Sequence, residues 1–282
     1  MSEGRLAGKM AIVTGGGSRD GEVGTGRATS ICLAREGARV VVADIAAENA
    51  ERTVAAIAEE GGEASVFAGD ARLSGDCQGM VEATVERYGG LHVLVNNLGY
   101  RIQPGVQGRD VAGFNEEQYE LAMDLNLKTA LLASKHAIPA MAKSGGGSII
   151  NIASVDALAA ARHRGVLYSI SKGALPMLTR ATAAFHGRDG VRANCIAPGH
   201  LHSAFAGAID PEMRDLRRRV APLGTEGTPW DVAWLVAFLA SDESRWISGV
   251  TIPVDGGLLA EQPLLGHDFL ELDVSGKELE DG

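Results

Sequence analysis

Residues 9–44 read KMAIVTGGGSRDGEVGTGRATSICLAREGARVVVAD. The apolar run at 9–14 predicts a buried strand, and a glycine-rich loop follows it directly. A helix with one apolar face comes next and ends at Gly37, and RVVVAD at 39–44 reads as a second strand. A strand, a helix and another apolar strand predict a βαβ unit, in which the two strands lie parallel.

The same alternation continues to residue 257. Further strands are predicted at 64–70, 91–97, 147–154, 191–199 and 250–257, and further helices at about 47–60, 74–88, 115–143, 165–187, 211–219 and 228–241. Strands that alternate with helices predict a parallel sheet covered by helices on both faces.

The helix at 115–143 carries its own start signals. Asn115 is a favourable N-cap, and Gln118 is spaced to complete a capping box with it. Phe114 and Tyr119 are spaced for a hydrophobic staple across the same helix start.

Bulk composition excludes several classes of protein. A chain of 282 residues, 45% of them hydrophobic, suits one large α/β domain. The net charge of −10 disfavours a general binder of nucleic acid or acidic membranes. No segment approaches the ~18 apolar residues of a membrane span, and the first residues show no signal-peptide pattern. Three distant cysteines without metal spacing fit a reducing, cytoplasmic location.

The glycine-rich loop lies where a βαβ unit can bind a dinucleotide. Backbone N–H groups and the helix dipole can hold a pyrophosphate there. Asp44 ends the second strand, where its carboxylate can accept from ribose hydroxyls and repel a 2′-phosphate. Ile45 follows and offers no cation, which favours NAD over NADP, whereas Arg19 is the one loop residue that favours NADP. An alternative use of Asp44 is as a helix N-cap.

A second group of residues is suited to proton transfer. Tyr168 and Lys172 are four apart, which places both side chains on one face of a helix. A nearby ammonium favours the phenolate and brings a tyrosine toward the range in which it exchanges protons with an alcohol. Ser154 would lie at the carboxyl end of the fifth strand, able to hydrogen-bond the same oxygen. A half-buried ring beside a solvated charge is the ordinary alternative for the pair.

Taken together, these residues resemble the classical short-chain dehydrogenases/reductases over roughly residues 9–257. The similar pieces, in chain order, are TGGGS…GTG at 14–26, Asp70, NNLG at 96–99, Asn126, Ser154, YSISK at 168–172 and NCIAPG at 194–199. The resemblance implies an α/β fold made of a single Rossmann-type, doubly wound sheet of seven parallel strands in the order 3-2-1-4-5-6-7. It also implies an oxidoreductase that uses NAD or, less favourably, NADP.

By this resemblance, four residues carry the catalysis. Tyr168 is the acid/base, Lys172 supports it and binds the nicotinamide ribose, Ser154 orients the substrate oxygen, and Asn126 anchors a water of the proton relay. The implied cofactor-binding residues are Gly15, Ser18, Gly24, Thr25, Gly26, Asp44, Ile45, Asp70, Ala71, Asn97, Gly99, Tyr168, Lys172, Pro198, Gly199, Leu201 and Ser203.

The chain departs from the family pattern in three places. Arg19 to Val23 read as a five-residue insertion in the glycine loop, which weakens the prediction for Ser18 more than that for Gly24 to Gly26. Leu98 stands where NNAG has alanine, and it makes a bulkier wall beside the cofactor. The chain after Gly257 is longer than usual. We predict a single domain at 1–260 and a C-terminal extension at 261–282 that packs on a neighbouring subunit or over the active site.

Substrate residues are expected above the carboxyl ends of the strands. The candidates are Leu98, Tyr100, Asp156, His163, His200 and Phe205. The basic residues 162–164 suit an anionic substrate, although a solvated loop or a subunit contact is their more ordinary use. His200 and His202 lack a third ligand, so we predict no metal site.

Three functions are compatible with this sequence. The leading hypothesis is an NAD-dependent dehydrogenase that interconverts a secondary alcohol and its ketone. The alternatives are an NADPH-dependent carbonyl reductase and a dinucleotide-binding regulatory protein without turnover. By resemblance, the helices near 115–143 and 165–187 are expected to pair subunits into a homotetramer or homodimer.

Overall fold

Seven parallel strands form one sheet in the order β3-β2-β1-β4-β5-β6-β7. The structure is a computed structural model that describes residues 4–19, 22–100, 110–160, 165–206 and 209–260. The predicted fold class, the parallel sheet and the strand order are confirmed. The predicted extension at 261–282 lies outside the described residues.

The strands and helices alternate as the sequence predicts. The strands are β1 (Met10–Thr14), β2 (Arg39–Asp44), β3 (Ala64–Ala68), β4 (Val93–Asn96), β5 (Gly147–Ile152), β6 (Val191–Pro198) and β7 (Thr251–Val254). The helices are α1 (Thr25–Arg35), α2 (Ala47–Glu59), α3 (Ser74–Tyr88), α4 (Glu116–Met123), α5 (Thr129–Lys143), α6 (Val166–His186), α7 (Pro211–Arg219) and α8 (Pro229–Ala240).

Alternation along the strands divides the core between the two faces of the sheet. Neighbouring strand residues point to opposite faces, so Ile12 and Val13 enter different clusters. Val13 joins the cluster formed with α1 and α8, and Ile12 joins the one formed with α3 and α5. Both residues are fully buried. A strand buried on both faces must be continuously apolar, which is the pattern that the sequence shows.

The long helix predicted at 115–143 differs from the prediction at its centre. Residues Asp124–Lys128 form a π turn between α4 and α5, in which the Thr129 N–H bonds the Asp124 carbonyl five residues back. The predicted start holds in part, because the Asn115 side chain accepts from the Gln118 N–H. Gln118 does not complete the box in the described contacts, since its Oε1 accepts from the Tyr100 hydroxyl.

The predicted hydrophobic staple is present at the same helix start. The rings of Phe114 and Tyr119 lie with their centroids 6.2 Å apart.

In the part of the chain that the structure describes, we find no helix with the length and apolar character to cross a membrane. The carboxyl ends of the parallel strands lie along one edge of the sheet. The loops that carry the candidate site residues follow these strand ends.

Candidate active site

Tyr168 and Lys172 lie one turn apart on α6, and both are buried, at 5% and 2% exposure. The Lys172 Nζ donates to the carbonyl oxygens of Leu98 at 3.0 Å and Ile152 at 2.9 Å. These bonds use two of its three donors. They join α6 to the ends of β4 and β5, and burial lowers the pKa of Lys172 to about 8. The ordinary alternative of a solvated lysine is therefore wrong.

Ser154 lies where the sequence predicts, just beyond the carboxyl end of β5. It caps the short 3₁₀ turn Val155–Ala157, and its Oγ accepts from the Asp156 N–H at 3.1 Å. Because the hydroxyl acts there as an acceptor, its own hydrogen is still available to donate. The turn packs directly against α6, the helix that carries Tyr168.

Asn126 occupies the middle of the π turn and is buried. Its Oδ1 accepts from the Tyr100 N–H at 2.6 Å, and its Nδ2 donates to the Tyr100 carbonyl and to Ser171 Oγ, each at 2.9 Å. Ser171 Oγ donates in turn to the Tyr168 carbonyl at 3.0 Å. The side chain thus clamps the backbone of the segment after β4 and reaches α6. That Asn126 also anchors a relay water stays a prediction.

The glycine loop is closed too tightly for side chains at two positions. Gly15 has φ +61°, which favours glycine, and a Cβ at Gly26 would overlap the Gly15 carbonyl oxygen. The Asn97 Nδ2 donates to that carbonyl at 3.0 Å and to the Thr14 carbonyl at 3.2 Å. The start of α1 is therefore pressed against the end of β1, and Asn97 fixes this arrangement from β4.

The first turn of α1 begins at Thr25 after Gly24, and no side chain caps it. Unfilled N–H groups at a helix start suit an anion. Ser18 is engaged elsewhere in the described structure. Its Oγ donates to the Glu22 carbonyl at 2.5 Å, inside the predicted insertion, and its N–H donates to the Asn49 carbonyl at 2.9 Å. Residues 20–21 of the insertion lie outside the described residues.

Asp44 ends β2 and turns its carboxylate toward the glycine loop. Its Oδ2 accepts from the Gly17 N–H at 3.2 Å, and its Oδ1 accepts from the Ala46 N–H at 3.1 Å. The alternative use of Asp44 as a helix N-cap is wrong, because Ala46 is the N-cap of α2 and has no side-chain cap. Ile45 is 67% exposed beside it, as expected of a residue that flanks a bound group.

Asp70 follows β3 and is held by its neighbour Arg72. The Arg72 Nε and Nη2 donate to the Asp70 carboxylate at 2.9 and 2.5 Å, and the pKa of Asp70 is lowered chiefly by these bonds. The next residue, Ala71, is half-buried, and its carbonyl accepts from Cys77 Sγ. Both residues follow β3 at the carboxyl edge of the sheet, and β3 lies outside β2 in the strand order. The prediction places the adenine of the cofactor on this side.

Leu98 and Gly99 connect the glycine loop to Lys172. A Cβ at Gly15 would lie 2.7 Å from the Leu98 Cδ2, so Leu98 forms the predicted wall beside this loop. A Cβ at Gly99 would lie 3.4 Å from the Lys172 Nζ and 3.6 Å from the Phe205 ring. The segment after β4 therefore contacts the predicted phosphate loop and the predicted catalytic lysine within three residues.

The predicted nicotinamide residues follow β6. The Gly199 N–H donates to the Val254 carbonyl at 2.9 Å, and a Cβ at Gly199 would lie 2.7 Å from the Asp255 Cα. Leu201 pairs in parallel with Gly227. Pro198 and Ser203, which belong to the same prediction, are half-buried at either end of this stretch.

The structure brings some predicted substrate residues to the site. The Phe205 ring lies 6.5 Å from the Tyr168 ring, centroid to centroid, and is 40% exposed. Tyr100 is fixed by Asn126, and Asp156 is buried next to Ser154.

His200 and His163 are the other two predicted substrate residues. His200 lines a cavity of about 380 Å³, together with Leu201 and with Arg217 of α7. His163, with the other residues of the basic cluster at 162–164, lies outside the described residues.

Sequence reasoning missed three residues with clear contacts at this edge. Ser171 links Asn126 to α6. Arg52 donates from Nη1 to the Ser18 carbonyl at 3.1 Å. Glu226 binds Arg214 of α7. The helical spacing of Ser171 from Tyr168 gave a weak signal, whereas the other two contacts join separate elements of the fold.

A dinucleotide fits the residues at this edge. The cradle has no room for a Cβ at Gly15 or Gly26, α1 starts without a side-chain cap, and the Asp44 carboxylate lies at the end of β2. The Lys172 ammonium lies at the other end of the same edge, next to Gly99. These features suit a ribose diol at the end of β2, a pyrophosphate at the end of β1 and a second ribose beside Lys172, in that order along the edge.

Known proteins share most of this chain. Residues 21–259 match the family described as enoyl-(acyl carrier protein) reductase. A 2,5-dichloro-2,5-cyclohexadiene-1,4-diol dehydrogenase LinX of Sphingobium indicum is 37% identical over 90% of this chain and 97% of its own. The 7α-hydroxysteroid dehydrogenase of Bacteroides fragilis is 33% identical over 93% of this chain and 98% of its own.

Solved structures show the same architecture. A chain from Burkholderia xenovorans, assigned to the short-chain dehydrogenases/reductases, is 34% identical with a TM-score of 0.85, over 92% of this chain and 99% of its own. A 7α-hydroxysteroid dehydrogenase in complex with NADH and 7-oxo glycochenodeoxycholic acid is 31% identical with a TM-score of 0.80, over 90% of this chain and 95% of its own.

Proposed function

The chain belongs to the classical short-chain dehydrogenase/reductase family of oxidoreductases, and from this we propose that it transfers a hydride between NAD(H) and a secondary alcohol or its ketone. The observation that carries the proposal is the buried Lys172, fixed between Leu98 and Ile152 one helical turn from Tyr168. A buried cation one helical turn from a phenol supports the proposal that the pair transfers protons.

The residues divide the work as follows. NAD, when bound along the carboxyl edge of the sheet, supplies the hydride acceptor. Ser154 donates a hydrogen bond to the substrate oxygen and fixes its position, and Tyr168 takes the proton from the alcohol as general base. The Lys172 charge stabilises the phenolate that remains. In the reduction of a ketone, Tyr168 returns the proton to the oxygen.

We further propose that the substrate carries its alcohol on a ring. Phe205 lies beside Tyr168, and Leu98 and Tyr100 belong to the segment after β4 that contacts Lys172 and Asn126. Apolar and aromatic walls with few convergent polar groups suit a flat apolar body. Two relatives support this proposal, since their names refer to a cyclohexadiene diol and to a hydroxysteroid.

The first experiment follows reduced nicotinamide while the protein is mixed with NAD and a panel of cyclic, aromatic and acidic secondary alcohols. We expect turnover with cyclic alcohols, and we expect Tyr168→Phe to lower kcat by about a thousandfold, since a general acid/base contributes ~10²–10⁴. The affinity of the variant for NADH should stay within twofold. Full turnover by Tyr168→Phe would contradict the assignment.

One contact favours NADP as the alternative cofactor. Arg52 reaches the Ser18 carbonyl and the Asn49 side chain, and Asn49 packs against Gly17 beside Asp44. A guanidinium here could attract a 2′-phosphate, although Arg52 is already engaged and Asp44 would repel that phosphate. The second reading of the function is therefore an NADPH-dependent carbonyl reductase.

Titrations of NADH and NADPH separate the two cofactors. We expect NADH to bind at least tenfold more tightly than NADPH in the wild type, and Arg52→Gln to leave that ratio within twofold because Asp44 sets it. Tighter binding of NADPH, lost in Arg52→Gln, would show that the alternative is right. If both nucleotides bind and no panel substrate reacts, the third reading, a regulatory dinucleotide-binding protein, gains support.

A further inference from the structure

Residues 203–206 and 209–226, here called the cap segment, lie in the chain between β6 and α8. The two ends of the segment are joined. Leu201 pairs in parallel with Gly227, and the His202 N–H donates to the Gly227 carbonyl at 2.8 Å. The described part of the cap segment carries Phe205 at its start and α7 further along.

Hydrophobic burial holds α7 only in part. None of its nine residues is buried, and its two large apolar side chains, Met213 and Leu216, are 43% and 42% exposed. A helix of nine residues is too short to be stable alone in water, and packing normally supplies what it lacks. Polar contacts must therefore contribute to its position.

Glu226 makes the contact that joins α7 to the returning chain. Its Oε1 accepts from the Arg214 Nε at 3.2 Å, and its Oε2 accepts from the Arg214 Nη2 at 2.5 Å. The Glu226 side chain is only 18% exposed. A forked bond between a guanidinium and a mostly buried carboxylate fixes both position and direction.

The same carboxylate also faces the start of the cap segment. The His202 Nδ1 lies 4.0 Å from the Glu226 Oε1, and Arg217 of α7 lines the 380 Å³ cavity next to it. The pKa of Glu226 is lowered chiefly by the bond from Arg214, with His202 and Arg217 adding to the effect. The carboxylate is therefore charged at neutral pH and sits between α7 and the strand end that leads to the predicted nicotinamide residues.

Asp215 offers a contrast on the same helix. It pairs with Arg218 and Arg219, three and four residues further along α7. These ion pairs are local, so they can stabilise the helix but cannot fix it to the rest of the molecule. A substitution of Glu226 therefore tests what fixes the position of α7, and a substitution of Asp215 tests what stabilises the helix itself.

We propose that Glu226 is a positioning residue for the substrate: by holding Arg214, it keeps the cap segment, and with it Phe205, in place beside Tyr168. The inference rests on the proposed function, because it assigns the wall of that same site. In the described contacts Glu226 does not touch Asn126, Ser154, Tyr168 or Lys172, so its effect must pass through Arg214.

Steady-state kinetics with the best cyclic alcohol test the proposal on four variants. We expect Glu226→Gln to raise the substrate KM about tenfold, while kcat and the Kd for NADH stay within twofold. Arg214→Gln should raise KM by the same factor. The double variant should raise KM no more than either single variant does, because each substitution removes the same contact. Asp215→Asn should leave KM unchanged. An unchanged KM in Glu226→Gln, or additive effects in the double variant, would overturn the proposal.

Amide hydrogen exchange over 211–219 gives a readout that needs no substrate. We expect exchange in α7 to be about tenfold faster in Glu226→Gln than in the wild type, and near the wild-type rate in Asp215→Asn. If the wild type turns over no alcohol, the proposed function fails while this comparison still judges Glu226. Equal exchange in Glu226→Gln and wild type would overturn the positioning role, whatever the activity.

Discussion

A buried ammonium is the costliest single group in this site. Lys172 has no carboxylate partner in its described contacts and is held by two carbonyl oxygens. Burial of a cation favours its neutral form, which is why its pKa falls to about 8. This cost falls where the proposed function uses a positive charge beside Tyr168, and perturbed pKa values are common at functional sites.

Stability against pH should reveal this lysine. Because the folded pKa of Lys172 lies below its unfolded value, the unfolded chain binds more protons between pH 8 and 10.5, and stability rises with pH across that window. We expect the free energy of unfolding of wild type, relative to Lys172→Met, to increase by about 3 kcal/mol over this range. Urea denaturation of both proteins at each pH measures the difference.

The comparison with Lys172→Met also supplies the control. Burial raises the pKa of Cys77 to about 11, so this thiol lowers stability above pH 9 in both proteins and cancels in the difference. Burial also raises the pKa of Cys195 to about 11, but Lys172 partly opposes this rise, so the difference contains a smaller contribution from Cys195. A difference that stays flat from pH 7 to 10.5 would mean that Lys172 is not buried as a cation.

At the scale of single residues, the sequence predicted where these side chains lie in the fold better than it predicted their hydrogen-bond partners. The spacing of Tyr168 and Lys172 and the position of Ser154 follow from local rules and were predicted. The engagement of Asp44 by the Gly17 N–H was not, because it depends on how an unusual loop folds back on β2. Ser18 shows the same limit, since its hydroxyl bonds the insertion next to it.

The helix pair α4 and α5 shows what a pattern along one element can and cannot predict. Its start at Asn115 and its length follow from capping and periodicity. The π turn at Asp124–Lys128 does not, because one extra residue in a turn leaves no mark in composition. The extra residue turns Asn126 toward Tyr100 and Ser171, and so the π turn sets the shape of the site.

The clamp at Asn126 can be measured as stability. Asn126→Ala removes one acceptor and two donor contacts and leaves the Tyr100 N–H without its partner, so we expect a loss of about 3 kcal/mol in the free energy of unfolding. Ser171→Ala removes only one of these contacts and should cost about 1 kcal/mol. Equal costs for the two variants in urea denaturation would show that Asn126 does not fix the segment after β4.

The whole molecule follows from the order of its strands. Parallel strands joined by right-handed crossovers place the ends of β1, β4, β5 and β6 side by side, and the candidate residues come together there although they lie far apart in the chain. The family resemblance predicted this order, whereas the periodicity alone predicted only a parallel sheet. The extension at 261–282 keeps its predicted role, on a neighbouring subunit or over the active site, as a proposal.

Association is predicted from α6. Ile170, Met177 and Phe185 repeat along one face of this helix and are 51%, 61% and 81% exposed. We expect light scattering to give two or four times the chain mass of 29.4 kDa, because an apolar face of this kind is stable when a second copy covers it. Phe185→Glu should lower the mass, whereas Leu73→Glu, a control at an exposed apolar residue of another element, should not. A monomer at micromolar concentration would contradict the prediction.

The uniform direction of the strands gives the molecule a front and a back. The front is the carboxyl edge with the candidate site. The back is the opposite edge, where the strands begin. It carries Lys9, Arg192 and Trp246, and Trp246 is 93% exposed. An anchor placed at the back, such as a tether to a bead or an electrode through a cysteine at position 246, would leave every loop of the front facing the solution. The direction of the strands thus determines which edge of the immobilised protein faces the solution, whatever linker is used.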